Sequence, residues 1–246
     1  MRTCLVISCG LLVVGCSAPT PPPAAGTPPQ DSVAATGPTE TVAAGLTAQP
    51  MTPEPEPPFE WEPDFQRLSL ADFLPYPADA DSWTERDDVL VCTGKPRGYL
   101  ATRETFQNFT WRLEYRFVRP GDLKDDAKFK GNTGFLIYIT GEAKIWPVSL
   151  EVQGKHLQMA AIKENGGAEP PVVQDDDAAR KSARKPVGQW NALEIRSRDG
   201  ALSVTLNGVP VSSSEPNFLS SGNLGIQAED HPFEVRRLRI RRDESQ

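Results

Sequence analysis

Three features that would place a chain in a common class are missing from this sequence. No window shows sustained helical periodicity, which argues against an all-helical fold. The charged residues, 26 Lys and Arg against 33 Asp and Glu, form no basic stripe and leave a net charge of −7. That balance argues against a nucleic-acid partner. The apolar run at residues 5–14 is too short to span a membrane as a helix.

The first 16 residues instead have the pattern of an export signal. Arg2 precedes the apolar run, and residues 12–16 read Leu-Val-Val-Gly-Cys, which resembles a bacterial lipobox. We therefore expect lipidation of Cys16 and export to the periplasm or the outer-membrane surface. The protein would then be anchored to the membrane by its N-terminal lipid rather than spanning it. The alternative is a plain secretion signal with an incidental cysteine.

Cysteine is scarce in the rest of the chain. Cys4 and Cys9 lie in the predicted signal, which leaves Cys92 as the one unmodified cysteine of the mature protein. An intramolecular disulfide is therefore not expected, although the protein is predicted to be exported. Cys92 lies in an apolar run, which favours a buried thiol.

Residues 17–58 have the composition of a linker. The segment contains no aromatic residue, no Lys and no Arg, and it holds half of the prolines of the chain. Such a composition cannot bury enough apolar surface to offset the entropy of ordering. We expect a disordered tether that reaches up to about 130 Å.

Residues 59–242 have the length of one domain and the patterns of an all-β fold. Phe109, Trp111, Leu113, Tyr115 and Phe117 alternate with polar residues, which predicts a strand with an aromatic face in the core. Sugar stacking on an exposed aromatic face is the alternative. The recurrence of strands and turn residues predicts a two-sheet antiparallel sandwich or jelly roll.

Several local predictions follow the same patterns. Two turn signals, Asp199-Gly200 and Asn207-Gly208, predict hairpins. A change of parity near Arg236-Arg237 predicts a bulge in the last strand. Strands are also expected at 88–93, 98–102 and 156–163, the first two forming a pair through residues 94–97. Residues 164–186 are expected to be a long connection, whose three aspartates form a solvated charge run rather than a calcium site.

The stretch 148–154 is the most informative strand. Val148, Leu150 and Val152 share one parity, whereas Ser149, Glu151 and Gln153 share the other. On an open face the acid and the amide are ordinary surface residues. On an enclosed face the same pair can bind a ligand rich in hydroxyl groups.

Six short motifs occur in the order seen in 3-keto-disaccharide hydrolase domains, a family of concanavalin-like jelly rolls in exported bacterial proteins. The motifs are Asn132-Thr133-Gly134, Glu151-Val152-Gln153, Gly188-Gln189-Trp190-Asn191, Asn207-Gly208, Gly225-Ile226-Gln227 and the segment 235–240. The resemblance covers residues 65–241. The chain departs from the family at Tyr138, where arginine is common, at His156, where an acid is frequent, and at Glu229, where a histidine is usual. Arg236-Arg237 stands for an arginine-asparagine pair.

The resemblance implies cleavage of glycosides already oxidised at C3, by proton abstraction at C2, elimination and hydration. Our hypothesis is that Glu151 or His156 acts as the base and that Arg236 is a further catalytic group, which binds hydroxyls or the enolate. The expected substrate-binding residues are Asn132, Gln153, Gln227 and Tyr138. No cofactor is predicted firmly; a divalent metal held by Glu151 and His156 is a further hypothesis. The expected ligand is a carbohydrate or an oxidised glycoside.

Each of these residues also has a structural interpretation. Glu151 and Gln153 can be a polar pair on a sheet, His156 a surface histidine, Asn132 a turn residue, and Arg236 the partner of a glutamate. Two other functions stay open at this point. One is a non-catalytic carbohydrate-binding or adhesion module on a stalk, and the other is a surface protein without a ligand.

Overall fold

The structure, a computed structural model, describes residues 56–244. The predicted signal, Cys16 and nearly all of the predicted linker lie outside the described residues. The compact unit in the described part begins at Pro57. No helix among residues 56–244 is long and apolar enough to cross a membrane.

Two antiparallel sheets form the domain. The large sheet contains β1 (Gln66–Arg67), β3 (Trp83–Arg86), β4 (Val89–Cys92), β6 (Phe109–Phe117), β10 (Val173–Asp175), β11 (Asn191–Arg198), β12 (Ala201–Leu206), β13 (Val209–Ser214) and β15 (Phe233–Arg242). The small sheet contains β2 (Phe73–Tyr76), β5 (Gly98–Phe106), β7 (Gly134–Thr140), β8 (Val148–Gln153), β9 (Ile162–Asn165) and β14 (Gly222–Ala228).

The strand orders are non-sequential, as in a jelly roll. The large sheet runs β10-β13-β12-β11-β6-β15-β4-β3, with β1 paired to β15, and the small sheet runs β2-β5-β14-β7-β8-β9. Helical structure in the described part consists of α1 (Asp177–Ala183) and three short 3-10 segments, Leu70–Asp72, Asp126–Lys128 and His156–Gln158. The predicted all-β, two-sheet antiparallel sandwich is confirmed.

The core lies between the two sheets, and strand alternation builds it. On β6, Phe109, Trp111 and Tyr115 are fully buried, which confirms the predicted aromatic core face. Phe135 of β7 meets Trp111 and Tyr115 edge to face, with ring centroids 6.0 and 5.1 Å apart. Burial of one such side chain contributes about 1.5–3 kcal/mol.

Two hairpin turns and one bulge of the large sheet were predicted from the sequence. Asp199 and Gly200 both have positive φ between β11 and β12, as Asn207 and Gly208 do between β12 and β13. That geometry matches the tight hairpin turns expected from these residue pairs. The register between β15 and β6 shifts between Arg236 and Arg239, which confirms the predicted bulge.

Three local predictions were wrong. Strands β4 and β5 do not pair, because β4 joins β3 and β15 in the large sheet whereas β5 joins β2 and β14 in the small one. The segment 156–163 begins with a 3-10 turn rather than a strand. The connection 164–186 contains β10 and α1, both too short to leave a periodic pattern in the sequence.

The three aspartates at 175–177 help to form the start of α1. Asp176 caps the helix by accepting a hydrogen bond of 2.9 Å from a main-chain amide of the first turn. Asp175 and Asp177 both pair with Arg180, whose side chain is buried. Arg180 also donates to the carbonyl of Met159 at 2.8 Å. The charge run therefore holds this connection against the sandwich.

Candidate functional site

The outer face of the small sheet carries a polar cluster where β14, β7 and β8 lie side by side. Gln153 pairs in register with Gly134, and Glu151 lies two residues earlier on β8. Gln227 of β14 lies on the other side of Gly134. The intervening residues of the three strands belong to the core: Phe135, Val152 and Ile226. Alternation therefore turns the polar side chains away from the core.

Gly134 makes room for two of these side chains. A Cβ at this position would meet Glu151 Oε1, lie 2.7 Å from the carboxyl carbon of Glu151, and lie 2.5 Å from Gln227 Oε1. No real Cβ tolerates such contacts, so a larger residue would displace both groups. The glycine of the Asn-Thr-Gly motif thus leaves the space that the ends of the Glu151 and Gln227 side chains occupy.

The two converging oxygens have no hydrogen-bond partner among the described residues. Glu151 is 8% exposed and Gln227 is 1% exposed, and both Oε1 atoms are buried. A buried polar atom without a partner costs about 1–3 kcal/mol. Such atoms are normally satisfied by water, a proton or a ligand. The cluster is therefore suited to bind a group that donates hydrogen bonds.

Burial also changes the proton affinity of Glu151. Desolvation, followed by repulsion from Glu229, raises the pKa of this carboxyl from its ordinary value of 4.5 to about 7. Lys163 and Lys155 oppose the shift. A carboxyl with a pKa near the working pH can accept a proton from a ligand and release it again.

Asn132 and Glu229 form the solvent-facing edge of the cluster. The two residues lie opposite each other in an isolated antiparallel bridge, and Asn132 Nδ2 donates to the Glu229 carboxylate. Both side chains are half-buried. Asn132 Oδ1 is a third buried oxygen without a partner in the described part. This edge connects the buried oxygens to solvent.

An amide and two lysines also belong to the surroundings of Glu151. Gln153 is buried, and its Oε1 accepts a hydrogen bond of 2.9 Å from the main-chain amide of Lys155. Lys163 of β9 pairs in register with Glu151, and its Nζ donates to Gln158 Oε1 at 2.7 Å. The positive charges of Lys155 and Lys163 therefore act on the buried carboxyl of Glu151.

His156 lies in a different environment from Glu151. It is 5% exposed, and its Nε2 is 3.9 Å from Asp126 Oδ2. Burial and Arg184 lower the pKa of His156, while Asp126 raises it. The main-chain carbonyl of His156 accepts a hydrogen bond of 3.1 Å from Arg184 Nη1. His156 therefore lies against Asp126 and Arg184, whereas the charges that act on Glu151 are Glu229, Lys155 and Lys163.

Arg236 lies on the other side of the sandwich. Its Nε donates to Glu114 Oε2 at 2.7 Å, and its guanidinium lies 4.3 Å from the centroid of the Trp190 ring. Glu114 alternates with the core residues of β6, so this pair occupies the outer face of the large sheet. The structure therefore does not bring Arg236, the further catalytic group expected from the sequence, to Glu151, because the core separates the two faces.

Tyr138 points into the core. Parity alone would place it beside Leu136 on the outer face, but the register of β7 shifts between Ile137 and Thr140, and Tyr138 has a φ of 62°. The bulge turns the ring inward, where its hydroxyl hydrogen-bonds to Ser197 of β11 and donates to the Gln107 carbonyl at 2.7 Å. Burial raises the pKa of Tyr138 to about 12. Its position supports a packing role.

The hypothesis of a metal held by Glu151 and His156 finds no geometric support. Residues 56–244 contain no group of three or more His, Cys, Asp or Glu side chains arranged to hold a metal ion. The oxygen cluster at Glu151 consists of carboxyl and amide groups, and His156 pairs with Asp126 elsewhere.

The structure adds Glu229, Lys155 and Lys163 to the residues chosen from the sequence. Lys163 could have been found only from the register of β8 and β9, since twelve positions separate it from Glu151 along the chain. Glu229 was visible as a departure from the family pattern. Its effect on Glu151 depends on the pairing of residue 229 with Asn132.

Comparisons with known proteins agree with this architecture. Two candidate glycosyl hydrolases from Parabacteroides distasonis ATCC 8503 have similar structures. One is 21% identical, with a TM-score of 0.53 over 73% of this chain and 99% of that chain. The other is 16% identical, with a TM-score of 0.52 over 71% and 89%. At these identities the likeness concerns the fold. A comparison with curated proteins found no match.

A family model supplies the more specific assignment. The model of the 3-keto-alpha-glucoside-1,2-lyase-like domain matches residues 60–241. That range includes both sheets and every residue of the polar cluster. The match confirms the resemblance drawn from the six motifs and indicates a glycoside-related hydrolase or lyase domain. The chain therefore belongs to the 3-keto-alpha-glucoside-1,2-lyase-like domain family.

Proposed function

We propose that the domain cleaves glycosides carrying a ketone at C3 of the sugar ring, with Glu151 as the base. The observation that carries the proposal is the state of Glu151. Its Oε1 is buried without a partner among the described residues, and its pKa is raised to about 7. Membership of the lyase-like family supports the same class of chemistry.

The proposed reaction begins with a proton transfer. The C3 ketone acidifies the C2–H bond, so Glu151 takes this proton and the bonding electrons form an enolate with the ketone. Return of these electrons forms the C1–C2 double bond and breaks the bond from C1 to the aglycone oxygen. Water then adds its hydroxyl to C1 while C2 regains a proton. The leaving oxygen also takes up a proton, so the net change is hydrolysis with one water consumed.

The surrounding groups match what this reaction needs. Gln227 Oε1 and Asn132 Oδ1 are acceptors for sugar hydroxyls. Lys155 and Lys163, whose charges act on Glu151, are the nearest candidates for stabilising the negative charge of the enolate. Arg236 has no part in this proposal because it lies on the other sheet.

The test is aglycone release from a chromogenic 3-keto-glucoside by the purified domain. Removal of a general base lowers turnover by about 10²- to 10⁴-fold, and we expect a loss in that range for Glu151→Gln. The matched control is Glu234→Gln, which changes a half-buried glutamate paired with Arg116 in the large sheet. Unchanged turnover in Glu151→Gln, with a loss in His156→Gln, would transfer the role of base to His156.

The second candidate function is carbohydrate binding without turnover. It is favoured by the three unpartnered oxygens, which can accept sugar hydroxyls without any chemical step, and by the position of Arg236 outside the cluster. Calorimetry with unoxidised oligosaccharides separates the two functions. Binding of these sugars, together with no product from a 3-keto-glucoside, would support the binding module.

The sequence pattern at residues 1–58 supports a further part of the proposal, which concerns location. We propose that Cys16 carries a lipid that anchors the protein to a bacterial membrane, and that residues 17–58 act as the tether. Replacement of Cys16 by Ser should move the protein from the membrane fraction to the soluble fraction. Retention of the variant in the membrane fraction would contradict the anchor.

A further inference from the structure

Glu229 is a half-buried acid at the edge of the cluster, and the proposed reaction does not use it. It follows β14 by one residue and lies two positions after Gln227. Alternation and the bridge to Asn132 place it on the outer face that carries Glu151. The Asn132 side chain holds one carboxylate oxygen of Glu229. The position of this second negative charge is therefore set by the fold.

We propose that Glu229 is a positioning residue that strengthens Glu151 as a base, by holding a second carboxylate beside it at the edge of the cluster. The inference rests on the proposed function. Its physical reason is that two like charges in a partly desolvated site resist simultaneous ionisation, which increases the proton affinity of the more buried group. Glu151 is the more buried of the two.

Other titratable groups lie on the elements around Glu151 and Glu229. Lys163 on β9 and Lys155 after β8 act in the opposite direction on Glu151. Beyond Glu229, Asp230 is paired with Arg97, and His231 packs edge to face on Phe129 at a centroid distance of 5.6 Å. Among residues 56–244, Glu229 is the charge that raises the pKa of Glu151, and its effect is second to that of desolvation.

The experiment compares pH profiles of kcat/KM for wild type, Glu229→Gln and the control Glu234→Gln. We expect the acidic limb of Glu229→Gln to move to lower pH. If its midpoint falls by about half a pH unit, the variant retains about a threefold larger fraction of its maximal kcat/KM than wild type on the acidic side. A merely structural role for Glu229 would lower the profile without moving its limb. The Glu234→Gln profile should match that of wild type.

A second readout does not need turnover. Infrared difference spectra between wild type and Glu151→Gln identify the carboxyl band of Glu151, and its titration can be repeated in the Glu229→Gln background. The proposal is supported if that midpoint falls, and it is overturned if the midpoint stays unchanged. Loss of turnover in Glu151→Gln with an unshifted limb in Glu229→Gln would retain the proposed function and reject the role of Glu229. Full turnover in Glu151→Gln would instead remove Glu151 as the base, the part of the proposed function on which this inference rests.

Discussion

At the residue scale, Glu151 combines an unfavourable position with a useful property. A carboxyl buried beside another carboxyl destabilises the folded domain when it ionises, because folding then removes a charge from water. The same burial brings its pKa to about 7, where proton transfer is efficient. Activity and stability are thus expected to oppose each other at this residue.

This opposition predicts a pH-dependent stability difference. The pKa of Glu151 is raised from 4.5 to about 7 in the folded protein, so the folded state binds the proton more tightly than the unfolded state does. The stability that this proton adds to wild type is fully present below pH 4.5 and is lost as the pH rises through 7. A variant with glutamine at this position does not lose stability in this way, because glutamine does not ionise. From pH 4 to pH 8, the free energy of unfolding of Glu151→Gln should gain about 3 kcal/mol relative to wild type. Urea unfolding at the two pH values checks this, and an equal difference at both would contradict it.

At the scale of single elements, β7 positions the cluster through Gly134. Substitution by alanine places a methyl group against Glu151 and Gln227, and overpacking of this kind costs about 1–3 kcal/mol. We expect Gly134→Ala to lower both turnover and thermal stability. Gly121→Ala is the matched control, since a Cβ there meets nothing within 4 Å. Equal turnover in the two variants would show that close approach at residue 134 does not position the base.

The elements also show where reading the sequence succeeds. Parity correctly placed Glu151, Gln153 and Gln227 on the outer face of the small sheet, because these residues lie on regular stretches of strand. Parity failed for Tyr138, since a bulge in β7 reverses the direction of that side chain. A bulge in β15 was predicted, but the face of the sandwich on which Arg236 lies depends on sheet assignment. That assignment results from long-range pairing, which local patterns do not contain.

At the scale of the whole molecule, the sandwich separates two outer faces with different contents. The large sheet carries arginines paired with acids, such as Arg239 with Glu62 at 2.6 Å and Arg112 with Glu194 at 2.6 Å. The small sheet carries buried oxygens without partners. Charges that are already paired support the fold, whereas the unpartnered oxygens are free to accept hydrogen bonds from the proposed ligand. This contrast assigns the proposed chemistry to the small sheet.

A 3-keto-glucoside deuterated at C2 tests directly whether Glu151 removes the C2 proton. If Glu151 breaks the C2–H bond before the aglycone leaves, kcat/KM should be several-fold lower for the deuterated substrate, and the released 3-keto-sugar should have lost deuterium to solvent. In the Glu151→Gln variant, aglycone release and loss of deuterium should both be slower by about 10²- to 10⁴-fold. Equal rates for the two substrates, with the deuterium fully retained at C2 of the product, would contradict the account.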